Sequence, residues 1–107
     1  MTVEVRSQLG EFDLAHLEIR GDVATGRLGW AYESHADRLA ILLEELDLVY
    51  WISPNLLRKR LPEWERRAER GGEFERIEVE RAPGHVAIEL IVPLSALEDI
   101  AEAAACL

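Results

Sequence analysis

The most regular run of apolar positions lies between Ser34 and Leu57. Leu39, Leu42, Leu43 and Leu46 recur at i, i+3, i+4, i+7, which puts them on one helix stripe, while Asp37, Arg38, Glu44 and Glu45 fall mostly off it. With Ser34 as N-cap and Asp37 three residues on, the spacing predicts a helix over residues 34–46. The next stretch, Leu48-Val49-Tyr50-Trp51-Ile52, is apolar at odd and even positions alike. That pattern suits a central strand covered on both faces, so Val49, Tyr50 and Trp51 are all expected to be buried. Ser53-Pro54 then pairs an N-cap residue with a proline at the first helical position, where its missing N–H costs nothing.

The flanking segments continue the alternation of strand and helix. Val3 and Val5 alternate with Glu4 and Arg6, a short strand that Gly10 ends. From Phe12 to Tyr32 the pattern predicts a hairpin turning at Gly21-Asp22. Pairing Arg20 with Val23 puts Ala15, Leu17 and Ile19 on a dry face with Leu28 and Trp30, and His16 and Glu18 on a polar one. Within it Gly26 and Gly29 signal a bulge or a close approach of backbone. A strand near Tyr32, the helix 34–46 and the strand 48–52 make a crossover unit.

Leu57, Leu61, Trp64 and Ala68 form the next helical stripe, with Pro62 predicting a kink or two short helices and Gly71-Gly72 a stop. Residues 74–81 and 85–92 read as a second hairpin around Pro83-Gly84. The register that keeps Ile77 and Val79 with Val86, Ile88 and Leu90 places Glu78 opposite Glu89, with Glu80 on the same face. A last helix starts at Leu94-Ser95, where Ser95 and Glu98 make a capping box, and carries Leu97, Ile100, Ala101 and Ala104 on its buried stripe.

These elements add up to a single α+β domain over residues 1–107. Its expected form is one mixed, mostly antiparallel sheet made of two hairpins and a central strand, with three helical segments mainly on one face. A ferredoxin-like arrangement is the nearest architecture.

Composition narrows the partners. Twelve Lys and Arg stand against 21 Asp and Glu, a net charge of −9, so the chain lacks the broad basic footprint that phosphate backbones require and nucleic acid is not the expected partner. Cys106, the single cysteine, excludes an intramolecular disulfide and a two-cysteine metal knuckle; on the continued last helix it faces solvent. No apolar run approaches the roughly 18 residues needed to cross a bilayer, and no secretory signal pattern is present, which points to the cytoplasm.

No motif supplies chemistry. His16, His35 and His85 fall in three elements without metal-ligand spacing, and Ser34, Ser53 and Ser95 are explained by helix capping, so neither metal, cofactor nor catalytic residue is expected. Two charged surfaces remain: Arg58, Arg60 and Arg67 in the arginine-rich helix, and Glu78, Glu80 and Glu89 on the second hairpin. They point to a small acidic, non-enzymatic protein-binding module of the inhibitor, immunity or adaptor kind, docking a basic protein and folding alone or as a small homo-oligomer. The alternative is a small-molecule binder or enzyme with a pocket lined by Trp30, Tyr32, Tyr50 and Trp51, with His16 and Asp13 nearby.

Overall fold

The structure is a computed structural model that describes residues 1–8 and 14–106. Among the described residues eight strands form two four-stranded sheets. Sheet 1 is ordered β1-β4-β5-β8, from β1 (Val3–Gln8), β4 (Arg38–Leu43), β5 (Leu48–Ile52) and β8 (Ala101–Cys106), with β1 parallel to β4 and the other pairs antiparallel. Sheet 2 is antiparallel throughout and ordered β3-β2-β7-β6, from β2 (Leu14–Asp22), β3 (Arg27–Leu28), β6 (Glu75–Ala82) and β7 (His85–Pro93). The described residues also form three α-helices: α1 (Trp30–Glu33), α2 (Pro54–Glu69) and α3 (Leu94–Ile100). The α+β class stands as read, whereas of the three expected helical segments only those beginning at Pro54 and Leu94 are helices. The strands divide between two sheets, which removes the single continuous sheet that a ferredoxin-like arrangement needs.

The largest correction falls on residues 34–46, which are not a helix. Arg38–Leu43 is strand β4, and a 3-10 turn at Glu44–Leu46 followed by Asp47 in the left-handed region (φ 52°) folds it back onto β5. Five consecutive apolar residues from Leu39 to Leu43 satisfy a strand buried between neighbours as well as they satisfy a helix stripe. Ile41, which the helical stripe omits, is fully buried. Ser34 closes α1 instead of opening a helix, and its Oγ donates to Glu4 Oε1 at 3.2 Å. Trp30 and Tyr32 therefore lie on a short helix and not on a strand.

β2 runs on through Gly21-Asp22, and its chain partner β3 is only two residues long, with Asp22 facing Arg27. The dry face of Ala15, Leu17 and Ile19 is as expected, all three fully buried, but β7 covers its flank, with Ala15 facing Val92 and Leu17 facing Leu90. Gly29 explains the glycine pair: a Cβ there would sit 2.3 Å from the carbonyl oxygen of Glu18, so α1 can approach β2 only through a glycine.

α2 begins at Pro54 after Ser53 and passes through Pro62 as one element, where a kink or break was expected. Burial of Leu57, Leu61 and Trp64 along its stripe offsets the lost hydrogen bond, which costs on the order of 3 kcal/mol. α3 is short: Ser95 lies inside it, no capping box forms, and at Ala101 the chain becomes β8. Cys106 is thus an exposed strand residue. One apolar cluster draws on Leu39, Ile41, Tyr50 and Ile52 of sheet 1, Leu17, Leu90 and Val92 of sheet 2, and Leu57, Leu61, Trp64, Leu97 and Ile100 of the helices.

Candidate functional site

Side chains that alternate out of this cluster build the two outer faces of the molecule. On sheet 1 the pairings Val5 with Ala40, Ala40 with Trp51, Leu42 with Val49 and Trp51 with Ala103 line up six small or apolar residues on one face. Ala40 and Val49 are buried by their neighbours, Trp51 and Leu42 are half-buried, and Val3 and Val5 are 39% and 58% exposed. None of these residues belongs to the common core or packs against it. Trp51 therefore departs from the expectation of full burial, whereas Tyr50 and Val49 meet it. Among the described residues the one ion pair at this face joins Arg38 Nε to Glu102 Oε2 at 2.7 Å, at the start of β4.

Sheet 2 presents a polar cluster on its outer face. A bulge at Arg81 separates the pairs Ala82 with His85 and Glu80 with Val86, and shifts the rest of the hairpin by one residue. Glu78 consequently faces Ile88, not Glu89, and Glu80 faces Val86. Glu89 faces Ile77 on one side and Glu18 of β2 on the other. A like-charge pair does exist, but its second member is Glu18. Arg81 bridges it, with Nη2 at 2.9 Å from Glu89 Oε2 and 3.4 Å from Glu18 Oε2, and His16 Nδ1 lies 3.2 Å from Glu89 Oε1. Both oxygens of Glu89 are thus engaged, which suits a charge-balanced bridge better than a free general base.

The remaining expected residues scatter. Arg58 is spent inside the fold: its Nη1 donates to the carbonyl of Ser34 at 2.5 Å and its Nη2 to Asn55 Oδ1, clamping the end of α1 to α2. Arg60 and Arg67 instead line a cleft of about 110 Å³ floored by Trp64 and Phe74, the Arg67 guanidinium lying 4.9 Å from the Phe74 ring centre. Such a cleft is small beside the roughly 300–1,000 Å³ of ordinary ligand pockets. Glu78 and Glu80 are exposed on β6.

The aromatic residues do not converge on one pocket. Trp30 lies beneath the Arg6 guanidinium at 5.6 Å, and Tyr32 donates to Glu65 with the Arg20 guanidinium 5.7 Å from its ring. Burial first, then the hydrogen bond and the charge of Glu65, push the Tyr32 hydroxyl well above its usual range. Tyr50 is in the core and donates to Glu98 Oε1 at 2.9 Å; its ionisation is pushed up to about 12, by burial first and then by that bond. Trp51 points to the opposite side of the same sheet and His16 to the far face of sheet 2. Asp13 lies outside the described residues. Among the described residues no group of three or more His, Cys, Asp or Glu side chains is placed to hold a metal ion, and no helix is long and apolar enough to cross a membrane.

Comparison with protein-family models, with curated proteins and with solved structures finds no match to this chain.

Proposed function

We propose that the chain is a non-enzymatic protein-binding module that docks its partner on the outer face of sheet 1. It acts by occupying a partner's surface, as an inhibitor, an immunity-type protein or an adaptor does. The observation that carries this reading is a four-stranded sheet whose outward residues Val3, Val5, Leu42 and Trp51 are apolar, partly exposed and outside the common core. Strands about 4.8 Å apart and roughly 3.3 Å per residue give such a face an extent of about 380 Å². That lies within the roughly 300–600 Å² of the largest apolar patch on a typical monomer, a patch that is often functional. Depletion of charge at the centre and charge at the rim is also the composition of a docking surface.

The net charge of −9 gives the partner its sign. Exposed acids such as Glu78 and Glu80 draw in a basic protein from a distance, while the apolar face supplies the contact. This division of labour is testable. Wild type, Val5→Arg and Glu78→Gln/Glu80→Gln are immobilised, and proteins captured from cells that make the chain are quantified at low and high salt. A partner lost on Val5→Arg at any salt, and captured more slowly on the acid substitutions, supports the reading. Capture that ignores Val5→Arg and vanishes with the acids moves the docking site to β6.

A further inference from the structure

A single outer face of about 380 Å² is less than half of the roughly 800 Å² that a standard interface buries on each partner. What would enlarge it is set by the edges of the two sheets. Native edges are blunted by shortness or by charge, since unpaired N–H and C=O groups recruit another strand. β3 is two residues long, β6 carries Glu75, Arg76, Glu78, Glu80 and Arg81, and β1 carries Glu4 and Arg6. β8 is different: Ala-Glu-Ala-Ala-Ala-Cys, exposed from Glu102 onward, with a single charge that Arg38 holds at 2.7 Å. Its one irregularity, where Glu102 is the extra residue opposite the Trp51–Ile52 step, sits at the start of the strand and leaves Ala103–Cys106 regular.

We propose that β8 pairs antiparallel with β8 of a second copy, joining two sheets 1 into one sheet of eight strands. The argument for a second copy over a foreign strand is selectivity. Main-chain bonds at an added edge give affinity, but side-chain pockets give discrimination, and an edge of alanines has none. A second copy brings an edge of the same kind, and a two-fold pairing makes each of its main-chain bonds twice. Facing residues share a sheet face, so a two-fold pairing must match positions of equal parity. The register centred on Ala104 does this, placing Ala103 opposite Ala105 of the second copy and Glu102 opposite Cys106 of the second copy. No like charges meet. The two outer faces then form one surface of roughly 760 Å², the area that a standard partner requires. The enlarged docking face rests on the protein-binding reading above; the pairing itself does not.

Sedimentation equilibrium on the full chain under reducing conditions tests it. The apparent mass of wild type is expected to rise from 12.1 kDa towards twice that value as concentration goes from about 1 μM to about 1 mM, the weak range of small interfaces. Ala104→Glu opposes two carboxylates across the two-fold yet leaves the outer face untouched, and is expected to remain at the monomer mass with an unchanged urea midpoint. Amide exchange on wild type gives a second readout that needs no variant: protection that grows with concentration and is confined to β8. A wild type that stays at 12.1 kDa at about 1 mM overturns the pairing, as does a dimer indifferent to Ala104→Glu or concentration-dependent protection on another edge. Should Ala104→Glu fail to fold, the exchange pattern of wild type decides alone. A dimer with no protein partner keeps the pairing and removes the docking reading.

Discussion

Arg81→Ala isolates the energy of the polar cluster, because the guanidinium is the only arginine bridging Glu18 and Glu89 among the described residues. Charges about 4 Å apart interact by about 4 kcal/mol at an effective dielectric near 20. The Arg81 side chain is 46% exposed, which moves its net contribution towards the roughly 1 kcal/mol of surface pairs. Glu18 and Glu89, 22% and 16% exposed, are left facing each other across β2 and β7, and that repulsion adds a few tenths of a kcal/mol or more. The expected loss is about 1–2 kcal/mol in urea unfolding at neutral pH. Glu18→Gln in the Arg81→Ala background removes the repulsion and is expected to restore about half of it. The same glutamine in wild type breaks a contact and costs a little. A double-mutant cycle over these variants should give a coupling of about 0.5–1.5 kcal/mol, shrinking in 1 M salt. Glu78→Gln, which faces Ile88, serves as the uncoupled control. Effects of Arg81 and Glu18 that add to within about 0.3 kcal/mol would sink the bridge, and a coupling of Arg81 to Glu78 instead would restore the register read from the sequence.

Three further outcomes follow from the two faces of each sheet. Ile52→Ala, at a fully buried core position, is expected to cost about 3 kcal/mol in urea unfolding, while Trp51→Ala on the uncovered face costs about 1 kcal/mol; equal losses would mean that something covers the outer face. Gly29→Ala forces a methyl group against the Glu18 carbonyl, 2.3 Å away, and is expected to cost about 2 kcal/mol or more, whereas Gly26→Ala meets open space and pays only for its positive φ; the reverse order in thermal midpoints would refute the close approach. Tyr50 is neutral in the folded state to about pH 12, so the stability that this confers is complete below pH 10, where an unfolded tyrosine is also neutral, and is lost as pH rises from 10 towards 12. Absorbance at the tyrosinate band should stay flat through pH 10 until unfolding begins, and a normal titration of either tyrosine in the folded chain would contradict the buried hydroxyls.

Elements with one strong local signal were readable. The strand 48–52, the Ser53-Pro54 start of α2, its stripe through Trp64 and the turn at Pro83-Gly84 all stand where the sequence places them. Segment 34–46 was not readable by periodicity, because Leu39 and Leu43 share a face in a helix and in a strand alike. The decision came from β1 and β5, which need β4 between them to complete their backbone hydrogen bonds. The end of α3 failed for a related reason. Ala101 to Ala105 has the highest helix propensity in the chain, yet the free edge of β5 takes those residues as a strand, tertiary pairing overriding a weak local preference.

The candidate site was partly legible in kind and misplaced in register. The sequence predicts a like-charge pair involving Glu89, but with Glu78 as its second member, and it points to neither Arg81 nor Glu18. Parity could not settle the matter, because β7 is apolar on both faces: Ala87 and Ile91 are as buried as Ile88 and Leu90. Registers of either parity leave Val79 opposite an apolar residue, Ala87 in the observed one, where Ile77 faces Glu89. The bulge selects among them, and it falls on the residue that supplies the guanidinium. Moving Arg81 out of the ladder places Ile77 and Val79 on the outer face beside Ala87 and turns Glu78 and Glu80 to the other side. One extra residue therefore separates the acids into two groups: Glu89, neutralised within the sheet, and Glu78 and Glu80, exposed on β6.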